Sequence, residues 1–224
     1  MDTLRALELR HSVRSYTDQP LSGDVLKALQ KLVKEANKEG GLHIQLVLDQ
    51  PKAFDSFLAH YGKFHNVKNY FAMIAKKGKD EEIGYYGQKL VLEAQKLGLN
   101  TCWVGGTFGK DKKAYDVGRG EKLYAAIPVG YGATQGHPHK SKAFDTLVKG
   151  EKADLPDWFV AGAEAAMLAP TATNQQKFTL SLGRKDKVEL KMGTGIMVKV
   201  DKGIVKYTFE VGAAAKGCKK VDWK

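Results

Sequence analysis

A cluster of one hydroxyl, one imidazole and two guanidinium groups lies near the start of the chain, at Arg10, His11, Ser12 and Arg14. Several hydrogen-bond donors converge there, and the planar fork of a guanidinium suits a phosphate monoester. A second interpretation stays open, because cations also gather at the C-terminus of a helix, where the helix dipole favours them. The cluster therefore predicts either a phosphate site or an ordinary helix end.

Regular elements must position this cluster, and the first is a short helix indicated by Leu4, Leu7 and Leu9. Apolar residues at three- and four-residue steps predict further helices at residues 25–36, 52–60, 84–98 and 158–168. Short apolar runs predict strands at residues 43–48, 70–75 and 125–131, and a hairpin of residues 178–182 and 188–192. Residues 197–215 fit both a strand and a helical stripe, and we favour the helix for a reason given below.

The composition is that of a globular protein able to bury a substantial core, with 224 residues of which 43% are hydrophobic. Cys102 and Cys218 lack the spacing of a disulfide framework or a zinc site, which favours a reducing compartment. The N-terminal residues are charged, and no window reaches the length of an uncharged membrane span. We therefore expect a soluble, cytoplasmic protein without a membrane partner.

The net charge of +11 would attract nucleic acid, an anionic membrane or a phosphorylated cofactor. Much of this charge is lysine in scattered pairs such as Lys76-Lys77 and Lys219-Lys220, as on a solvated surface. The nearest approach to a basic stripe with interleaved aromatics is residues 61–70, which is weak evidence. We expect no nucleic-acid partner, although a basic nucleic-acid-binding module remains an alternative function.

Two segments together resemble one enzyme family. R-H-S-V-R-S-Y at residues 10–16, followed by the helix start D-Q-P-L-S, resembles the N-terminal flavin-phosphate signature of the nitroreductases. Residues 90–106, L-V-L-E-A-Q-K-L-G-L-N-T-C-W-V-G-G, are similar to the central helix and the following loop of that family, in the same order. The resemblance implies an α+β, nitroreductase-like fold, with mostly antiparallel central sheets flanked by helices.

The same resemblance implies FMN as cofactor and NADH or NADPH as electron donor. Arg10, His11, Ser12 and Arg14 would then bind the FMN phosphate. The backbone of Gly105 and Gly106 would lie beside the flavin N5, where an N–H can polarise that atom and where a side chain would obstruct the approach. The alternative is an ordinary Gly-Gly turn.

Lys140 and Lys142 lie in H-P-H-K-S-K, which resembles the late K-S-R-type segment of the family. The resemblance implies that these two lysines form a second jaw that faces Arg10 and Arg14 across the phosphate. The family usually has arginine where this chain has Lys142, and a lysine acts as a point charge without a fork. Both lysines could therefore be plain surface residues.

One family loop is displaced in this chain. Nitroreductases carry A-P-S-x-x-N-x-Q-P-W after the second helix, whereas this chain has A-N-K-E-G-G at residues 36–41 and a similar segment, A-P-T-A-T-N-Q-Q-K-F, at residues 169–178. An internal repeat explains the displacement, because Ala36 and Ala169 precede the two loops and Gly84 and Gly98 match Gly203 and Gly217. The second copy is shorter by about fifteen residues, roughly the strand at 70–75 and its neighbours. The repeat makes 197–215 the partner of 84–98 and thus a helix.

In the family, two subunits form an intimate homodimer, and this loop of one subunit contacts the FMN that the other subunit holds. We therefore predict a pseudo-dimer within one chain. Residues 1–150 form a flavin-binding half, and residues 151–224 form a shortened half that contributes Pro170, Thr171, Ala172 and Asn174. A monomer with an internal pseudo-two-fold axis and one FMN follows. The alternative is a plain polar turn and a coincidental repeat.

No catalytic side chain and no metal ligand is predicted, because no nucleophile arrangement stands out and His137 and His139 alone are too weak a pair. The resemblance implies that FMN carries hydride from the nicotinamide to a small oxidised substrate, such as a nitroaromatic or a quinone, by ping-pong transfer. An FMN-binding protein without significant turnover, for storage or sensing, is the closest alternative.

Overall fold

The structure, a computed structural model, describes residues 1–111 and 113–224. The α-helices in these residues are α1 (Thr3–Leu9), α2 (Gly23–Gly40), α3 (Phe57–Tyr61), α4 (Asp80–Lys96), α5 (Phe144–Leu147), α6 (Asp157–Ala166) and α7 (Val198–Ala215). The strands are β1 (Gln45–Val47), β2 (Tyr70–Lys76), β3 (Asn100–Thr101), β4 (Glu121–Gly130), β5 (Val148–Lys149), β6 (Phe178–Leu182) and β7 (Val188–Met192). The helix at 197–215 and the hairpin of β6 and β7 are confirmed.

One predicted helix is largely wrong. Residues 52–60 form a 3₁₀ turn, Pro51–Ala53, and the start of the five-residue helix α3. Ser56 lies between the two and caps α3, since its backbone carbonyl and its hydroxyl both accept from the Ala59 N–H. Because Phe54 is buried before this cap, the chain turns here and does not continue one helix.

The larger sheet has the order β1-β2-β4-β3 and is antiparallel throughout. Alternate residues of a strand point to opposite faces of the sheet, and in β2 the residues on both faces are buried. Phe71, Met73 and Ala75 belong to the main core, which includes the long helices α4, α6 and α7. Tyr70 and Ile74 belong to a second core, which contains Cys102 and Val104. The sheet thus has an apolar layer on each face.

Two glycines allow α4 and α7 to pack at backbone distance. A side-chain carbon at Gly84 would collide with the backbone carbonyl of Val200, and one at Gly203 would collide with that of Glu81. These glycines are the pair that the internal repeat relates. Small residues at a helix crossing permit close approach, so α4 and α7 meet at the two glycines that the predicted repeat pairs.

The order of elements repeats along the chain, since α2, β1, β2 and α4 are followed later by α6, β6, β7 and α7. β7 follows β6 and pairs with it in antiparallel fashion, as β2 does with β1. The connection covers residues 48–69 between β1 and β2 but only 183–187 between β6 and β7. The predicted shortening of the second copy by about fifteen residues stays a prediction.

The smaller sheet joins the two halves, because β5 lies before residue 151 and pairs in parallel with β6, with Val148 opposite Leu180. β7 pairs with β6 in antiparallel fashion. No helix in the described part of the chain combines the length and the apolar character needed to cross a membrane.

Candidate functional site

A cleft of about 1120 Å³ lies between the two halves, large enough for a cofactor-sized ligand. Its wall from the first half includes the predicted residues Arg10, Ser12, Arg14, Gly105 and Gly106. Its wall from the second half includes the predicted residues Pro170, Thr171, Ala172 and Asn174. The structure therefore brings together two segments that are far apart in sequence, whereas His11, Lys140 and Lys142 do not belong to these walls.

Arg10 follows the last residue of α1 and is only 5% exposed. Its backbone N–H donates to the carbonyl of Ala6 at 3.0 Å, which fixes the start of the side chain. Burial lowers the pKa of Arg10 to about 10, so the guanidinium still carries its charge at neutral pH. Within the described residues its Nε has no hydrogen-bond partner and its charge has no carboxylate within ion-pair distance. A buried charge without a partner is costly, and a bound anion would remove that cost.

The backbone after Arg10 is extended and pinned on both sides. The N–H of Val13 donates to the carbonyl of Thr101 at 3.0 Å, and the N–H of His65 donates to the carbonyl of Arg14 at 2.9 Å. The Arg14 side chain is exposed, and its guanidinium carbon lies 5.9 Å from the ring centre of Phe64. Arg10 and Arg14 thus give the same wall one buried and one exposed guanidinium.

His11 is half-buried beside this wall. Burial lowers the pKa of the imidazole, and the nearby charge of Arg10 lowers it further. A neutral imidazole at this place adds little charge to the basic cluster. His139, for which sequence reasoning predicted no role, does line the cleft, and its Nε2 lies 2.9 Å from the carbonyl of Met167.

The loop with Gly105 and Gly106 follows β3, and just before it Val104 exchanges two backbone hydrogen bonds of 2.9 Å with Ala126 of β4. A side-chain carbon at Gly105 would collide with the Sδ of Met197, which belongs to the second half. A side-chain carbon at Gly106 would meet no heavy atom within 4 Å. Gly105 is thus closely packed against the flexible end of the Met197 side chain, and the backbone at Gly106 borders open space.

The opposite wall is a loop in an unfavourable backbone conformation. Thr173, Asn174 and Gln176 have φ angles of 51°, 54° and 43°, in the left-handed region that residues other than glycine rarely adopt. Asn174 Nδ2 donates to the carbonyl of Lys140 at 3.0 Å, and Gln176 Nε2 donates to Asn174 Oδ1 at 2.9 Å. The Asn174 side chain therefore holds the loop in place, and the loop lines the cleft as a rigid edge.

Lys140 and Lys142 support this loop from outside the cleft. Lys142 Nζ donates to the carbonyls of Gln175 and Gln176, each at 3.0 Å. Lys140 contributes its backbone carbonyl, which accepts from Asn174 and from Gln176. The described contacts of both residues are with the loop, and their place as a second jaw across from Arg10 and Arg14 stays a prediction.

Sequence reasoning missed Asp201, a cleft residue in the first turn of α7 that is only 3% exposed. The N–H of Ala172 donates to its Oδ1 at 3.1 Å, and Gln175 Nε2 donates to its Oδ2 at 2.7 Å. Burial raises the pKa of Asp201 to about 6, although both hydrogen bonds favour the ionised form. The signal in the sequence was its position one turn before Val205 and two turns before Thr208, on the buried stripe of the helix.

Comparison with known proteins gives one family and several similar folds. The family model described as "Putative TM nitroreductase" matches residues 2–213. No curated protein sequence gives a significant match.

Three solved structures illustrate the similarity of fold. One from Thermotoga maritima, described as a "putative nitroreductase", is 21% identical over 99% of this chain and 87% of that chain, with a TM-score of 0.69. One from Desulfovibrio desulfuricans, solved in complex with FMN, is 17% identical over 67% and 98%, with a TM-score of 0.53. The NfrA1 nitroreductase of Bacillus subtilis is 16% identical over 68% and 77%, with a TM-score of 0.54.

Proposed function

This chain belongs to the nitroreductase family and has the α+β fold predicted for it, and we propose that it is an FMN-dependent oxidoreductase. In this proposal FMN binds in the cleft between the two halves. NADH or NADPH is the electron donor, and a small oxidised molecule such as a nitroaromatic or a quinone is the acceptor. Donor and acceptor use the open side of the cleft in turn.

The observation that carries the proposal is the buried guanidinium of Arg10, which has no anionic partner among the described residues. A phosphate monoester would supply the missing charge and the missing acceptor for Nε. The Desulfovibrio desulfuricans protein of the same fold was solved with FMN, a ligand that carries such a phosphate. The donor set, the volume of the cleft and the fold all support FMN as the proposed cofactor.

The residues of the chain would act by binding and orientation. Arg10, Ser12 and Arg14 would hold the phosphate end, and the backbone at Gly105 and Gly106 would border the reactive edge of the ring. The wall formed by residues 170–174 would limit the position of the ring on the opposite side. Bound FMN would supply the two-electron redox chemistry, which no side chain of the cleft can provide.

We also propose that one chain forms the complete site, as a monomer with an internal pseudo-two-fold axis. Support comes from the cleft, whose walls come from residues before 150 and after 151 of the same chain. The close crossing of the repeat-related helices α4 and α7 supports the same arrangement. Light scattering of the FMN-loaded protein at several concentrations tests it, and a dimer at all concentrations would contradict it.

An absorption spectrum and a reductive titration test the function. We expect the purified protein to bind one FMN per chain, and its flavin absorbance near 450 nm to disappear on anaerobic addition of NADH or NADPH. Addition of a quinone or nitroaromatic should then restore the absorbance. Flavin binding without reduction by either nicotinamide would favour the storage or sensing alternative, and a protein that binds no FMN would refute the proposal.

A further inference from the structure

Asp201 is a buried carboxylate on the cleft wall, opposite in charge to the guanidinium groups of the first half. Within the described residues it has no ion pair. Lys202, the next residue on its helix, pairs with Glu81 of α4 at 2.7 Å, and Lys177, just after the loop, donates through Nζ to the carbonyl of Thr194 at 2.7 Å. Desolvation without a cation makes this carboxylate a cost to the folded chain, which is typical of a residue kept for function.

The contacts of Asp201 all lie on one side. The backbone N–H of Ala172 donates to it at 3.1 Å and the side chain of Gln175 donates to it at 2.7 Å, and both residues belong to the loop that lines the cleft. Gln175 Nε2 also donates to the carbonyl of Ile196, immediately before α7. One carboxylate therefore connects the start of α7 to the centre of the loop.

The loop needs such a connection because Thr173 and Asn174, which lie between the two bonded residues, both have left-handed backbones. Each such residue costs free energy, and the conformation persists only where the surroundings fix it. Ala172 and Gln175 bracket this pair, so their hydrogen bonds to Asp201 fix the strained part from both ends.

We propose that Asp201 is a positioning residue for the cofactor, which acts by holding residues 172–175 as a rigid wall against the bound ring. This inference rests on the proposed function, because the wall is useful only if a ligand lies in the cleft. The hydrogen bonds from the loop to Asp201 are present in the cofactor-free chain as well, so they can be tested separately from the proposed function. Asp201 does not take part in hydride transfer in this proposal.

Hydrogen exchange of the cofactor-free protein tests the hold. The asparagine side chain in Asp201→Asn has one acceptor oxygen where the carboxylate has two, so one of the two hydrogen bonds to the loop is lost. We therefore expect the peptide around residues 171–176 to exchange about tenfold faster. Peptides from β2 and β4 should keep their wild-type rates, and the Tm should stay within about 3 °C of wild type, because the variant also removes a desolvated charge. The FMN affinity should fall about tenfold.

The matched control is Glu210→Gln, which alters a carboxylate at the other end of α7 that accepts from Tyr85 and from Trp223, outside the cleft. This variant should leave the exchange of residues 171–176 and the FMN affinity unchanged. If residues 171–176 keep their wild-type exchange rates in both Asp201→Asn and Asp201→Ala, the proposal is refuted. Faster exchange throughout the chain, together with a lower Tm, would also refute it, because it would indicate a merely structural role.

The exchange measurement contains no FMN, so it separates this inference from the proposed function. If the wild-type chain binds no FMN, the proposed function fails and the cofactor role of Asp201 fails with it, whatever the exchange rates are. If wild type binds FMN and Asp201→Asn binds it equally well, only the positioning role is refuted. Asp201→Ala serves as the second variant, also if the asparagine variant does not fold.

Discussion

The two walls of the cleft differ in how their polar groups are satisfied. On the first wall, Arg10 is buried with an Nε that has no partner in the described residues, and Arg14 is exposed beside an aromatic ring. On the second wall, the side chains of Asn174 and Gln175 and the carboxylate of Asp201 are bonded to one another or to nearby backbone. The first wall therefore has a charge and a hydrogen-bond donor available for an anion. The polar groups of the second wall are bonded within the protein and fix the shape of the loop.

This difference indicates that the two walls contribute to ligand binding in different ways. A wall with an unsatisfied charge contributes affinity, because ligand binding removes a desolvation cost. A wall whose polar groups are already satisfied contributes position, because it gains little enthalpy from the ligand but does not have to be ordered on binding. Substitutions on the two walls should accordingly have different signatures in affinity and in the stability of the cofactor-free protein.

The largest effect is expected from Arg10→Met, which replaces the buried guanidinium by an apolar side chain of similar length. FMN affinity should fall about 100-fold, because the charge-assisted hydrogen bonds to the phosphate are lost. The Tm of the cofactor-free protein should not fall, because the variant removes a buried charge that has no partner. Flavin fluorescence titration and thermal unfolding measure the two quantities.

Arg5→Met is the matched control for Arg10→Met, since Arg5 lies on the same helix but is exposed and pairs with Glu8 at 2.8 Å. It should leave the FMN affinity within about twofold of wild type, as expected for an exposed pair. If Arg10→Met binds FMN as tightly as wild type, the buried charge of the first wall does not contribute affinity, and the proposed difference between the walls is wrong.

The next effect concerns the contact between the two walls. Gly105→Ala would push a methyl group towards Met197, whose flexible side chain can move, so we expect the unfolding free energy to fall by about 1 kcal/mol, at the lower end of the cost of overpacking. Met197→Ala should make room for the added methyl group, so the double variant should be more stable than the sum of the single effects predicts. Denaturant unfolding of the four proteins measures this coupling. Strictly additive effects would show that the two residues do not constrain each other.

An effect of similar size is expected from pH, and it isolates Asp201. Its folded pKa is raised from 3.8 to about 6, so the folded chain binds this proton more tightly than the unfolded chain. Ionised Asp201 therefore lowers the free energy of unfolding, and this loss is complete well above pH 6. As the pH falls through 6 towards 3.8, the carboxylate takes up its proton in the folded chain and the lost stability returns. Between pH 7 and pH 5, wild type should gain about 1 kcal/mol relative to Asp201→Asn. The opposite sign in denaturant unfolding would contradict this assignment.

The smallest effects are expected from the two lysines that support the second wall. Lys142→Ala removes two donors to loop carbonyls and should weaken FMN binding about threefold. Lys140→Ala keeps the backbone carbonyl that accepts from Asn174, so it should leave FMN binding unchanged. If either substitution weakened binding as much as Arg10→Met, the lysines would bind the phosphate after all, as the family resemblance implied.

Much of this architecture could be predicted from the sequence, because it depends on local periodicity. The helix over 84–98 and the hairpin of β6 and β7 follow from patterns of side chains close in sequence. The internal repeat also separated helix from strand at α7, where periodicity alone fitted both. The basic cluster and the displaced loop could be placed on one cleft because the family resemblance supplied a long-range relation between them.

What could not be predicted depends on single contacts between distant segments. The sequence places Asp201 only on the buried stripe of α7, and only folding brings Ala172 and Gln175 against it. Lys142 was expected at the phosphate, but a long flexible side chain has many possible partners, and here it bonds the carbonyls of the loop. Charge and spacing do not determine which of these partners a lysine meets.

The meeting of α4 and α7 through Gly84 and Gly203 has a consequence for the shape of the cleft. Neither glycine lines the cleft, but Val200 and Ile204, which face Gly84, do. The close crossing therefore helps to set where this part of the cleft wall lies. We expect a larger residue at either glycine to push α7 away from α4 and to displace this wall from a distance.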